Sequence, residues 1–315
     1  MHDRPNFFIV GAPRSGTTAL SRYISQHPQI CLSRPKETHF LFRPVANCTY
    51  SSYLAHYWQQ FFPHCHANHC AVGEGSVSYI YFDQILHRIL TLQPDARFIV
   101  MVRNPIELLR SYHWRLLYLL EEDRADFREA WSLQQQRLHG QCLPLLCRDS
   151  RLLQYAEIGK LGQRIERLFE IAGRDRCLVL VFDDFVRDPR ASYQQVCRFL
   201  GVADDGRARF PRRHESQSYR SRWLQRWLFH PPPSVLRWAS NPARHGRFWP
   251  WQKLVLSHLH RRVSQLNATR QNPPPFDAEM AAQLRATFVE DVECLSQLLG
   301  RDLTPWVSER DRVHT

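Results

Sequence analysis

The run Gly11-Ala12-Pro13-Arg14-Ser15-Gly16-Thr17-Thr18 sets two glycines, one cation and three hydroxyls between an apolar stretch and a helical pattern. Phe7-Phe8-Ile9-Val10 before it reads as a buried strand, and Ala19-Leu20 after it continues into a helix. A chain that leaves a strand, turns on glycines and starts a helix aims backbone N–H groups and a helix N-terminus at one place. A phosphate or sulfate group suits that place. A plain strand-to-helix turn is the simpler reading of a lone glycine turn, but here the strand before and the helix after supply the context a phosphate loop needs. The pattern nearly matches the nucleoside-triphosphate loop G-x-x-x-x-G-K-[ST], except that Thr17 stands where that loop has its lysine, and the cation is Arg14. A nucleotide kinase therefore fits poorly.

Two further groups could do chemistry. Arg97 to Val102 reads as a strand ending at Arg103-Asn104-Pro105, and the helix that follows carries Ser111. A cation at a strand's C-terminal end and a hydroxyl two helical turns later can converge on one phosphate. A loop arginine and an unrelated helix-surface serine are the equally simple alternative. Pro35-Lys36-Glu37-Thr38-His39-Phe40 brings an ammonium, a carboxylate and an imidazole within four residues. Such a set can take a proton from a hydroxyl and balance developing charge, although a solvated loop is the ordinary reading of this segment alone.

The glycine run, with Leu20 and His27-Pro28 after it, resembles the 5′-phosphosulfate loop of sulfotransferases that use 3′-phosphoadenosine 5′-phosphosulfate (PAPS). Many members have lysine where this chain has Arg14. Arg103, Asn104, Pro105 and Ser111 are similar to the family's R-N-P-x-x-x-x-x-S pattern for the 3′-phosphate. Lys36-Glu37-Thr38-His39-Phe40 resembles the K-E-x-H-F motif of glycan-type members, in which the glutamate is the base. Gly73-Glu74-Gly75-Ser76-Val77-Ser78-Tyr79, Val181-Phe182-Asp183-Asp184-Phe185 and Leu298-Leu299-Gly300-Arg301-Asp302-Leu303 also look like family segments. No R-K-G or S-K-G loop, which completes the 3′-phosphate site in many relatives, is present.

The resemblance implies sulfuryl transfer from PAPS to a hydroxyl or amine, in line and without a metal. Arg14, Ser15, Gly16, Thr17 and Thr18 are then expected at the 5′-phosphosulfate, and Arg103 and Ser111 at the 3′-phosphate. Glu37 is the expected base, Lys36 and His39 assist, His39 is the alternative base, and Arg14 with the loop N–H groups is the expected stabiliser of charge on the departing nucleotide. The implied acceptor is a carbohydrate, a lipid or a small molecule. A polyanion-binding module without transferase activity is the alternative from another class.

These residues need a scaffold. Phe7–Val10, Phe98–Val102 and Leu178–Phe182 read as buried strands, with Gln29–Leu32 as a shorter fourth. Helical patterns span Thr18–Gln26, Phe82–Leu92, Pro105–Leu120, Ile158–Ile171, Ala191–Leu200 and about Asp277–Leu299. Strands alternating with helices predict an α/β, P-loop-like doubly wound, mostly parallel sheet flanked by helices, with ligands at the strands' C-terminal ends. The chain reads as a single domain over residues 1–315, with an elaborated basic and aromatic segment at about 207–271 and a helical lid over about Glu121–Ser150.

The net charge of +12 favours anionic partners without choosing among them. Basic and aromatic residues between Arg212 and Arg247 suit single-stranded nucleic acid but equally sugars or a solvated face, and no nucleic-acid partner is expected. His64-Cys65-His66-Ala67-Asn68-His69-Cys70 is rich in ligand types but lacks the paired spacing of a structural zinc site, so it reads as an exposed loop. Nine cysteines without a repeating spacing favour a reducing compartment. No apolar run is long enough to span a membrane, which leaves peripheral contact open. Phe7–Val10 is too short for a signal-peptide core, so the expected location is cytoplasmic.

Overall fold

Every residue of Phe7–Gly11 is buried, as is every residue of Arg97–Val102 except Arg97 itself. Successive strand side chains point to opposite faces, so a continuous apolar run survives only where both faces are covered. These runs form the centre of a parallel sheet. The computed structural model describes residues 4–44, 49–211, 217–231 and 262–308, which divide into two compact units.

The first unit takes its described residues from Met1–Leu108, Ile158–Arg213 and Ala281–Thr315. Its strands are β1 (Phe7–Gly11), β2 (Ile30–Leu32), β3 (Ala71–Glu74), β4 (Arg97–Val102) and β5 (Cys177–Val181), in the spatial order β2-β3-β1-β4-β5. All pairings are parallel. The helices α1 (Thr17–Ile24), α2 (Tyr50–Phe61) and α3 (Asp83–Leu92) lie between the first four strands in sequence. One core joins Phe7 and Ile9 of β1 to Leu20 and Ile24 of α1, Met101 of β4 and Val196 of the helix Pro189–Leu200.

The predicted doubly wound sheet is therefore present, with three local differences. The strand β3 was not expected, because Ala71-Val72-Gly73-Glu74 offers only a short apolar signal broken by glycine and a charge. Its backbone bonds to β2 on one side and β1 on the other hold it in the sheet. Phe182 opens a helix, Phe182–Arg187, instead of closing β5.

The third difference concerns the helix predicted over Ile158–Ile171, which is broken into Tyr155–Gly159 and Leu161–Ala172. The break has a cause. Asp291, on the long helix Ala278–Leu299, accepts from the N–H groups of Gly162 at 2.8 Å and Gln163 at 3.0 Å. A carboxylate from another element thus caps a helix start whose own sequence supplies no capping side chain. Glycine is needed at 162, because a Cβ there would stand 2.2 Å from the Asp291 carbonyl oxygen.

The second unit takes its described residues from Leu109–Glu157 and His214–Met280. The helix α4 (Pro105–Leu119) begins before its first residue, and Ser111 lies on the part of α4 that belongs to it, buried. Within Glu121–Ser150 are two short helices, Phe127–Ser132 and Gln134–Leu138. Arg137, fully buried, donates two bonds of 2.7 Å to Glu122, which also accepts from the Tyr155 hydroxyl at 2.6 Å. Burial acts to raise the Glu122 carboxyl, and these bonds outweigh it, so the group stays ionised. The basic and aromatic segment is described only in part. It contributes an antiparallel pair, Gln217–Tyr219 with Ala268–Arg270, and the helix Arg222–Phe229. Arg212-Arg213-His214 and Trp249-Pro250-Trp251 lie outside the described residues.

Candidate active site

The glycine loop leaves β1 at Gly11, and the Ala12 N–H donates to the Met101 carbonyl at 2.9 Å, holding the turn against β4. Gly16, at φ 88°, caps α1, and its left-handed backbone admits glycine with little strain. A Cβ at Gly16 would also meet the Phe182 ring at 3.0 Å. Arg14 takes φ 60°, so it too turns the chain in the left-handed region. The first turn of α1 carries no acidic residue, which keeps its N-terminus compatible with an anion. Ser15 and Thr17 are buried within this turn, while Thr18 is exposed beside them.

Arg103 reaches this loop from the end of β4. Its Nη1 donates to the Arg14 carbonyl at 2.9 Å, its guanidinium lies 4.5 Å from the centre of the Phe182 ring, and Nη2 stands 3.5 Å from Glu107. The two sequence motifs therefore meet through Arg103 and the Arg14 backbone. Asn104 has a structural place. Its Oδ1 accepts from the Ile106 N–H at 2.9 Å, and its Nδ2 donates to the Trp306 carbonyl at 3.1 Å.

The third motif converges on the same turn. Lys36 Nζ donates to Thr17 Oγ1 at 3.1 Å and to Glu37 Oε1 at 3.1 Å. His39 Nε2 lies 3.5 Å from Glu37 Oε2, and His39 Nδ1 lies 3.3 Å from Ser78 Oγ. A polar chain thus runs Thr17–Lys36–Glu37–His39–Ser78. Burial lowers Lys36 from the ordinary lysine value, against the opposing charge of Glu37. Burial works to raise Glu37, but the His39 hydrogen bond and the Lys36 charge win and bring it down to about 2. Glu37 is therefore a carboxylate at neutral pH, with Lys36 and His39 on either side of it.

Residues 4–226 match the family model described as a sulfotransferase domain. The chain belongs to the sulfotransferase family. A crystal structure of a sulfotransferase from Alicyclobacillus acidocaldarius is similar at 25% identity and a TM-score of 0.64, covering 97% of this chain and 99% of that one. The membrane-associated sulfotransferase kil1 of Dictyostelium discoideum is 31% identical over 117 residues, which are 36% of this chain and 24% of that protein. The bifunctional heparan sulfate N-deacetylase/N-sulfotransferase 4 of Mus musculus is 25% identical over 201 residues, 63% of this chain and 22% of that protein. The chain thus spans under a quarter of these relatives' lengths. Among the described residues, no helix is long and apolar enough to cross a membrane.

In this sulfotransferase-family chain, the segment that carries Lys36, Glu37 and His39 is held by side chains and backbone of the Gly73–Tyr79 segment. The turn after β3 fastens residues 36–41 at successive points. The Gly75 N–H donates to the Lys36 carbonyl at 2.9 Å, Ser76 Oγ accepts from the His39 N–H at 3.0 Å, and the Tyr79 hydroxyl accepts from the Leu41 N–H at 3.1 Å. Thr38 Oγ1 donates to Glu74, whose side chain is completely buried. Burial pushes the Glu74 carboxyl up, and the Thr38 bond only partly offsets this. The segment Gly73–Tyr79 was legible as a family feature, but its role as a clamp depends on β3 lying beside β2.

The histidine-rich segment His64–Cys70 is a largely exposed loop, as expected, but it is tied to the sheet. Cys65 forms a disulfide with Cys31 of β2, and the His64 ring bonds the Leu32 carbonyl at 2.9 Å. Such a bond persists in an oxidising compartment, a direction opposite to the one the scattered cysteines suggested. Cys142 and Cys147 are free thiols. Among the described residues, Cys31, His64 and Cys65 are the one group of metal-ligand types close together, within 4.8 Å, and two of the three are committed to the disulfide.

Proposed function

We propose that this sulfotransferase moves the sulfuryl group of PAPS to a hydroxyl or amine of a carbohydrate acceptor. The observation that carries the reading is Lys36 bridging Thr17 of the anion loop and Glu37 of the base segment. One cation thereby links the place suited to the donor's sulfuryl group with the carboxylate suited to the acceptor's proton. In this reading the loop from Arg14 to Thr18 receives the 5′-phosphosulfate. Arg103 serves the 3′-phosphate, with Ser111 assigned from the sequence pattern alone. The kinship with heparan sulfate N-sulfotransferases supports carbohydrate as the acceptor class.

The acceptor oxygen or nitrogen forms a bond to sulfur while the bond from sulfur to the 5′-phosphate oxygen breaks. Adenosine 3′,5′-bisphosphate leaves with the electron pair, and the acceptor's proton passes to Glu37. A carboxyl near 2 is a weak base, but an acceptor atom bonding to sulfur becomes strongly acidic late in the step. A positioned weak base then suffices. Lys36 and the loop N–H groups stabilise charge on the departing phosphate, as in other loose in-line transfers. The cations of this scheme come from the chain, so no metal enters the step.

Thermal denaturation with adenosine 3′,5′-bisphosphate, followed by transfer assays from labelled PAPS to an oligosaccharide panel, tests this reading. The bisphosphate is expected to raise the melting temperature more than ATP with magnesium, and turnover to persist after chelation. A larger shift with ATP and magnesium would overturn the donor assignment.

A further inference from the structure

Between α1 and the end of β2 lies a pocket of about 620 Å³ whose walls bear one sign of charge. Arg22, Arg34, Lys36, His64, His66 and His69 line it, and no aspartate or glutamate is among the lining residues. Thr18, Ser21, Arg22 and Ser25 also line it, at the spacing of one face of α1. The opposite wall is built rather than loose. The Cys31–Cys65 disulfide, the bond from His64 to the Leu32 carbonyl, and the Cys70 N–H bond to the Gln29 carbonyl at 2.9 Å fix it against β2.

We infer that this pocket is an acceptor subsite for an anionic carbohydrate, one carrying carboxylate or sulfate groups of its own. The inference rests on the donor reading above and names the acceptor's charge. Arg22 and Arg34, with no aspartate or glutamate among the lining residues, favour an anion, and Lys36, bonded to Glu37, adds a third cationic side chain. Hydroxyls on α1 and imidazoles opposite suit sugar hydroxyls. No tryptophan, tyrosine or phenylalanine lines the pocket, so the stacking platform that single-stranded nucleic acid uses is missing. Lys36 belongs to both this pocket and the Thr17–Lys36–Glu37 chain, so a sugar chain seated here extends to the reacting position.

The test uses a fluorescent oligosaccharide of alternating hexuronate and hexosamine and its carboxyl-reduced neutral counterpart. Affinity is read by anisotropy with saturating adenosine 3′,5′-bisphosphate. The anionic probe is expected to bind at least about ten-fold tighter than the neutral one, and the preference to shrink as salt rises. Replacing both exposed arginines, Arg22→Ala with Arg34→Ala, is expected to abolish the preference while the bisphosphate melting shift is retained. That shift shows that the variant folds and keeps its donor site. Equal affinity for the neutral probe, or a preference untouched by the double substitution, overturns the inference. So does tighter binding of a single-stranded oligonucleotide that depends on the same arginines. A wild-type protein without any bisphosphate shift overturns the donor reading, and the acceptor assignment of the pocket falls with it.

Discussion

Lys36 Nζ stands 3.1 Å from Thr17 Oγ1, so a glycine loop whose own sequence has threonine in place of lysine receives an ammonium from the segment after β2. The side chain is only 19% exposed, and burial lowers its proton affinity, so its charge acts where water screens it little. Arg14, the cation within the loop, contributes its backbone carbonyl to Arg103 and a left-handed turn.

Removing the bridging cation is expected to slow the chemical step. Lys36→Met should lower kcat by about 10²-fold, the usual size for deleting one preorganised donor to developing charge. Lys36→Arg should restore little of it, because a planar guanidinium does not reproduce a compact ammonium between two oxygens. Steady-state kinetics with saturating PAPS reads this. Full activity in Lys36→Met removes the residue from the mechanism.

Glu37 and His39 are separated by substitution and by pH. Glu37→Gln should reduce turnover by about 10²–10⁴-fold, and His39→Asn should reduce it less. Because Glu37 is held down to about 2, a Glu37 base gives kcat no acid limb until the pH approaches that value. The same depressed carboxyl contributes stability above its ordinary 4.5 and loses it as pH falls toward 2. A larger loss in His39→Asn, together with an acid limb well above pH 4.5, would reassign the base to His39.

Arg103 holds the loop and, in the proposed mechanism, a phosphate. Arg103→Ala should weaken adenosine 3′,5′-bisphosphate binding by about 1.5–3 kcal/mol, roughly ten- to a hundred-fold. Calorimetry on the folded variant checks it. Affinity equal to that of the wild type would leave Arg103 with only its structural bond to the Arg14 carbonyl.

Glu74 gives a prediction about stability. Burial raises its carboxyl above the ordinary 4.5, so the folded protein holds this proton more tightly than the unfolded chain. The resulting stability is present below 4.5 and is lost as pH rises through the raised value. Glu74→Gln removes the titration, so the melting temperature of the variant relative to wild type should climb from pH 4 to pH 8. Parallel curves across that range would show that Glu74 titrates alike in both states.

The glycine loop, the strands β1 and β4 and the family were legible in the sequence because their signals are local. A glycine turn between a strand and a helix, or a run such as Phe98 to Val102, is carried by neighbouring residues whatever surrounds them. The identity of the cation beside Thr17 was not legible, because it depends on the order β2-β3-β1 in the sheet. The strand β3 itself has little intrinsic signal and exists through its neighbours' backbone bonds, yet it places the turn that fastens Lys36, His39 and Leu41. Asp291 capping Gly162, and Cys31 meeting Cys65, are likewise meetings of residues far apart in the chain. Each side chain could satisfy its bonding in several ways locally. Only the packed tertiary structure selects one partner for each, since burial removes water as the competing partner.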